Sequence, residues 1–171
     1  MSISKGGQSV KPYVGSKEVK EAYVGSQLVY RAIPPYYYYF MGTPNDYILN
    51  KIELVTNSAV TKTGGYENYV LKMTTTKSGA IGTGAQIRLN VSEHKGKVLH
   101  LKAFAQARSV TYQQKTNPQG SVLKNGSFNF GSSPTLTELT IDNQANYIDI
   151  YVTYNYTGEF CAFNEIWVEQ E

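Results

Sequence analysis

Cysteine, histidine, tryptophan and aspartate are all scarce in this chain of 171 residues. The one cysteine, Cys161, excludes an intramolecular disulfide framework. Its setting, Phe160-Cys161-Ala162-Phe163, is that of a small core residue. The only histidines are His94 and His100. A zinc site would need more Cys or His beside them, so both read as ordinary turn and strand residues. There is no Gly-x-Ser-x-Gly elbow and no phosphate-binding Gly-Lys-Ser/Thr loop. No apolar stretch is long enough to span a membrane as a helix. The opening Met-Ser-Ile-Ser-Lys-Gly-Gly lacks the apolar run of a signal peptide, which sets the expectation of folding in a cytoplasm. Charged residues make up 17%, and the net charge of +3 comes from scattered Lys and Arg, so a basic nucleic-acid-binding face is not supported. A sustained 3.6-residue apolar period is also absent, which argues against helices.

Paired carboxylates were weighed as glycosidase machinery. The candidates are Asp142 with Asp149 and Glu159 with Glu165. Asp142-Asn143 reads as a turn, and Asp149 alternates with Ile148 and Ile150 as an outward polar residue. No pair is marked by its setting, so the chain is expected not to be an enzyme and to need no cofactor or metal.

Tyrosine, threonine and glycine dominate, with fifteen of each. Tyr and Thr favour strands and Gly favours turns, so the chain reads as all-β. Near the N-terminus is a tandem repeat. Residues 13–22 read Tyr-Val-Gly-Ser-Lys-Glu-Val-Lys-Glu-Ala, and residues 23–32 read Tyr-Val-Gly-Ser-Gln-Leu-Val-Tyr-Arg-Ala, with six of ten positions identical. Ten residues is too short for a solenoid of helical pairs. It suits a small β-meander with each Gly-Ser at a tight turn. Three such short strands are marginal in water and call for a neighbour to cover them.

This segment, over about residues 10–32, resembles the N-terminal segment of bacteriophage tail and appendage proteins, where paired Tyr-Val-Gly units precede a separate distal domain. The resemblance implies a virion protein, with Tyr13, Val14, Gly15, Tyr23, Val24, Gly25 and Tyr30 serving assembly or attachment. It also implies other virion proteins as partners and a homo-oligomer, a trimer being the usual choice.

Three regions are expected. Residues 1–33 form a polar arm and the meander. Residues 34–46 form a Pro/Tyr-rich connection that starts at Pro34-Pro35, where neither proline can donate to a sheet ladder. Within it, Tyr36–Phe40 reads as an aromatic strand, buried rather than displayed. Residues 47–171 carry about eight strands between turn signals and a long loop over 115–134. That pattern suggests a two-sheet β-sandwich of jelly-roll type, with a closed barrel as the runner-up.

Gly64-Gly65-Tyr66-Glu67-Asn68-Tyr69-Val70-Leu71-Lys72-Met73-Thr74 is similar to the second strand of jelly-roll, galactose-binding-like carbohydrate-binding modules. His94–Ala105 and Phe163–Glu169 resemble further strands of those modules. The resemblance supports the fold and raises a structural calcium. Asn164, where the modules usually have Asp, argues against that ion.

Saccharides are held by aromatic faces and directional polar groups. The candidate glycan platform is Tyr151, Trp167, Tyr112 and Tyr154. Along Ile148–Tyr154, Asp149, Tyr151 and Thr153 share one face, and Trp167 opposes Ile166 and Val168. Trp167 beside Tyr151 on one outer face would make a binding strip. Trp167 also reads as covering a sandwich edge or filling a subunit interface. The functional expectation is a structural virion protein, tail or head fibre, whose sandwich attaches to a host-surface glycan. A purely architectural fibre or decoration protein, and a free carbohydrate-binding module, remain as alternatives.

Overall fold

A computed structural model describes residues 36–42, 51–62, 69–76, 82–107, 109–154 and 157–170, and six short strands nearer the N-terminus. The chain divides into two compact units, Met1–Pro35 and Tyr36–Glu171. No helix occurs among the described residues.

The first unit contains β1 (Ser4–Lys5), β2 (Gln8–Ser9), β3 (Tyr13–Val14), β4 (Lys17–Glu18), β5 (Glu21–Val24) and β6 (Gln27–Arg31). They pair antiparallel two by two. Lys5 lies opposite Gln8, Val14 opposite Lys17 and Val24 opposite Gln27, which leaves two residues between the strands of each hairpin. Those residues are Gly6-Gly7, Gly15-Ser16 and Gly25-Ser26. A glycine in the first central position is what a two-residue type II′ turn asks for. The repeat is therefore organised as successive hairpins, not as one three-stranded ladder.

The second unit holds eleven strands. They are β7 (Tyr36–Met41), β8 (Ile52–Thr56), β9 (Ser58–Lys62), β10 (Tyr69–Thr74), β11 (Gly82–Asn90), β12 (Val98–Gln106), β13 (Ser109–Lys115), β14 (Val122–Phe128), β15 (Thr135–Thr140), β16 (Tyr147–Tyr154) and β17 (Phe160–Glu169). They form two antiparallel sheets. One has five strands in the order β14-β13-β16-β11-β8, and the other has six, β15-β12-β17-β10-β9 with β7 also on β17. The domain is an all-β, two-sheet sandwich of jelly-roll type.

Alternation places the core between the sheets. From the five-stranded sheet come Ile87, Leu89, Ile148, Ile150, Val152 and Val110, and from the six-stranded sheet come Leu71, Met73, Leu99, Leu101, Phe163 and Ile166. Phe128, Phe130 and Phe163 form an aromatic run through this layer, with ring centroids 5.4 and 5.9 Å apart. Burial pushes the Cys161 thiol up, in keeping with a packing role. The carboxamide of buried Gln114 ties the two sheets at one corner: it donates to the Thr140 carbonyl at 2.9 Å and accepts from the Asp142 amide at 2.7 Å. The chain crosses from one sheet to the other between β8 and β9 at the single residue Asn57, which takes a left-handed φ of 48°. Asparagine tolerates that conformation better than most residues, and its amide donates to the Gly84 carbonyl at 2.8 Å.

Two boundaries differ from those expected. The stretch 34–46 is not all connection: Tyr36–Met41 is a strand of the sandwich, paired with β17 along Glu165–Glu169. Tyr39 and Phe40 are buried in the core, while Tyr36 is 40% exposed, so the aromatic run is divided between the two faces. The 115–134 region is not one long loop either. It contains β14, an edge strand whose mostly polar, exposed side chains give no alternating signal. Gly126, which reads as a turn residue after Asn125, instead lies under the Tyr112 ring, where an added Cβ would come within 2.8 Å.

Strands β7 and β10 lie end to end along the same edge of β17. They are joined where the Tyr69 amide donates to the Gly42 carbonyl at 3.1 Å. A Cβ at Gly42 would sit 2.5 Å from the Tyr69 carbonyl oxygen and 3.0 Å from that of Asn164, both backbone atoms. Gly42→Ala is therefore expected to lose about 1–3 kcal/mol as an overpacked site. Urea denaturation of the variant checks this, and an unchanged midpoint would refute the end-to-end packing.

Candidate functional site

The two sheets turn very different faces outward. On the five-stranded sheet the outward positions of the three central strands line up in rows. Tyr151 has Gln86 and Thr111 as cross-strand neighbours, Asp149 has Arg88 and Gln113, and Tyr147 has Asn90 and Lys115. These side chains are amides, hydroxyls and charges, the groups that make directional hydrogen bonds.

Asp149 organises the face. It sits on β16, in the middle of the sheet, with a side chain that has no exposure. Arg88 grips it with both arms, Nε to Oδ1 at 2.6 Å and Nη2 to Oδ2 at 3.0 Å. The Lys115 ammonium donates to Oδ2 at 2.9 Å, and the Tyr151 hydroxyl donates to the same oxygen at 3.1 Å. Arg88 and Lys115 are themselves only 14% and 12% exposed. Burial alone would raise the Asp149 carboxyl, but the hydrogen bonds and charges of Arg88 and Lys115 hold it below the usual carboxylate range. The same bond to Asp149 pushes Arg88 up.

This network fixes the posture of Tyr151. Its hydroxyl reaches back to Asp149, two residues earlier on the same strand and on the same face. A side chain tethered in that direction lies along the sheet instead of standing up from it. Its side chain is half-buried on the outer face of the sheet. Burial raises the Tyr151 phenol, so it stays protonated and keeps its donor. The arrangement is an anchored aromatic tile beside fixed hydrogen-bonding groups.

Trp167 lies elsewhere. It is on β17, in the other sheet, so it cannot form one strip with Tyr151. Side-chain alternation correctly turns both residues outward, but the sequence does not say that β16 and β17 belong to opposite sheets. On its own face Trp167 is flanked by Tyr38 from β7 and His100 from β12. The His100 ring stacks on it at 5.0 Å and 11°, and the Tyr38 ring stands at 6.3 Å. The indole is thus flanked by a neighbouring ring on each side. The Glu138 and Glu169 carboxylates approach His100 at 3.4 and 4.0 Å.

Tyr112 also leaves the proposed platform. It shares a register position with Ile150, packs against the core and has its ring centroid 4.9 Å from that of Phe128. Tyr154 ends β16, but its side chain lies outside the described residues, as do those of Tyr13, Val14, Tyr23, Val24 and Tyr30; Gly15 and Gly25 lie outside them altogether. His94 is a turn residue against the rings of Tyr37 and Tyr39, at 4.6 and 5.9 Å. Burial, reinforced by Lys97, pushes its pKa down.

The residues that sequence reasoning missed are Arg88, Lys115 and Gln113. Arg88 carries a signal, since it alternates with Ile87 and Leu89, but Gln113 and Lys115 lie in the polar run Gln113-Gln114-Lys115-Thr116, and only the register reveals that all three surround Asp149. Asp149 reads as an outward polar residue, and it does lie on the outer face, but fully buried beneath its partners. Among the described residues no cluster of three or more His, Cys, Asp or Glu could hold a metal.

No family model matches the chain, and no curated protein matches its sequence. Among solved structures, two variants of the family 29 carbohydrate-binding module CBM29-2 share the fold with a TM-score of 0.55 each. They are 10% and 11% identical to this chain, cover 78% of it and are themselves covered over 91% and 90%. The enzymatically active domain of tailspike protein 4 from bacteriophage CBA120 aligns with a TM-score of 0.45 and 13% identity over 68% of this chain, which spans 18% of that one. At these identities the likeness concerns the fold alone.

The Asp149 network makes a sharp stability prediction. Arg88→Ala leaves a buried carboxylate short of its main partner and is expected to cost about 3–5 kcal/mol. Replacing all three members at once, Arg88→Met, Lys115→Met and Asp149→Leu, should recover most of that loss. Denaturant titrations of both variants decide it: equal losses in the two would show that packing, not charge, is at stake.

Proposed function

We propose that this chain is a non-catalytic bacteriophage virion protein, a tail or head fibre or other appendage, assembled in the host cytoplasm. Its β-sandwich binds a host-surface glycan through the outer face of the five-stranded sheet, and its N-terminal unit attaches it to other virion proteins and to sister copies in a trimer. The observation that carries the binding reading is the anchored, outward-facing ring of Tyr151 among Gln86, Thr111, Gln113 and the Asp149 network. Sugars present apolar ring faces edged by hydroxyls, and this face offers a matching aromatic tile edged by donors and acceptors. The fold shared with carbohydrate-binding modules is in keeping with it.

Support for the virion reading comes from the Tyr-Val-Gly-Ser repeat and from its hairpins. Two-stranded hairpins of two to five residues per strand are too small to be stable alone in water. They call for cover, and sister copies would supply it.

A free carbohydrate-binding module remains the second reading, because the family 29 module is covered over 91% of its length by this chain. The masses in solution of the full chain and of Tyr36–Glu171 separate the two. On the virion reading the full chain is a defined oligomer and the shorter chain a monomer. Two well-behaved monomers would favour the free module.

Binding is tested on an array of microbial-surface and plant glycans. Tyr151→Ala is expected to weaken binding at least about tenfold, roughly 1.4 kcal/mol. Trp167 is the only tryptophan, so its fluorescence reports on the other face and should not change with ligand. A ligand that shifts Trp167 emission and ignores Tyr151→Ala would move the site to the six-stranded sheet.

A further inference from the structure

We infer that the loop 116–121, between β13 and β14, is the specificity wall of the glycan face: it admits a chain whose edge toward the loop is unsubstituted and rejects one branched on that edge. The inference rests on the reading of the five-stranded face as a glycan site.

The loop leaves the sheet at Lys115 and returns at Val122, its cross-strand partner. It does not run on in line with the strands. The Pro118 carbonyl accepts a hydrogen bond from Arg88 Nη2 at 3.3 Å. Arg88 stands on β11, and β16 lies between β11 and β13. The loop therefore folds inward across the face and meets the guanidinium where it grips Asp149. Its root is pinned from the neighbouring turn, since Asn146 donates its side-chain amide to the Thr116 carbonyl at 2.7 Å and its backbone amide to the Lys115 carbonyl at 2.9 Å. Its tip closes in a tight turn, with the Gly120 amide on the Asn117 carbonyl at 3.0 Å. A Cβ at Gly120 would meet the Asn117 carboxamide at 2.7 Å, so that side chain lies over the tip.

Beside this wall the next outward residue of β16 is Tyr151. A sugar stacked on its ring therefore has the loop and the Arg88–Asp149 pair on one side. Asn117 and Gln119 are both exposed residues of the loop. A hydroxyl there gains a partner; a branching sugar there meets a backbone held at root, flank and tip. Polar walls of this kind discriminate because the wrong substituent both clashes and leaves buried groups unpaired.

The test uses the full chain and an array that pairs each linear homo-oligosaccharide with a branched counterpart of the same backbone. Xylohexaose and arabinose-substituted xylo-oligosaccharides are one such pair. Linear chains are expected to bind at least tenfold more tightly. Replacing residues 116–121 by a two-residue Asn-Gly turn should bring that ratio close to one while linear binding persists. Pro118→Gly, which keeps the loop length and loosens its path, should lower the ratio and covers the case in which the shortened chain does not fold. Equal binding of linear and branched chains by the unaltered protein, with Tyr151→Ala weakening both, would overturn the wall and leave the glycan face standing. Binding to no glycan, or binding untouched by Tyr151→Ala, would overturn the face and the wall together.

Discussion

An ionised carboxylate without solvent contact must be neutralised where it stands, and Asp149 imposes that demand on three neighbouring strands at once. Leaving such a charge unpaired costs several kcal/mol. Arg88 from β11, Lys115 from β13 and Tyr151 from β16 itself all converge on it. Once those contacts are made, little freedom is left on this face. The guanidinium is fixed and so offers a landing point for the Pro118 carbonyl, and the phenol ring is drawn down along the strand. Hydrophobic residues in place of all three charged members would stabilise the sheet as well or better. What the buried charge adds is a set of polar groups held at fixed positions, which is the preorganisation that weak, directional binding depends on.

The opposite sheet uses its aromatic residues in another way. Tyr38, Trp167 and His100 occupy successive strands, with His100 stacked on Trp167 and Tyr38 tilted beside it. The row is a brace across β7, β17 and β12. It matters most at β7, an edge strand paired only with β17, and it complements the Tyr39 and Phe40 anchors that β7 sends into the core. The two outer faces thus divide the work: one stiffens the sheet, and the other leaves its aromatic ring free.

Much of the fold is legible in the sequence because one face of each central strand is apolar. Ile148, Ile150 and Val152 alternate cleanly with Asp149, Tyr151 and Thr153, and Ile166 and Val168 alternate with Trp167, so inside and outside are readable at both strands. Strand order is not readable in this way. Nothing in the local pattern of β16 and β17 says that they lie in different sheets, and the expected union of Tyr151 with Trp167 fails on that point alone. Edge strands are the other blind spot. β14 runs through Lys124-Asn125-Gly126-Ser127, so its sequence is that of a loop, and only its pairing with β13 makes it a strand. The candidate face is half legible: Tyr151 stands out through its aromatic ring, whereas Arg88, Gln113 and Lys115 become a group only through the register that brings them around Asp149.

A single tile with a few polar neighbours makes a modest site. Each contact is worth about a kcal/mol or so once the displaced water is counted, and ordering a flexible glycan takes back part of it. Such a site becomes useful when copies act together, since a second binding event on a linked copy proceeds at the high effective concentration set by the linkage. The N-terminal unit gives a physical reason to expect copies. Among its described residues are three strand pairs with strands too short to hold themselves. On the proposed reading, weak binding in one unit and incomplete stability in the other are one design problem with one solution, because assembly would cover the hairpins and multiply the face. That logic favours an appendage over a free module: a free module has a use for the face but none for the hairpins.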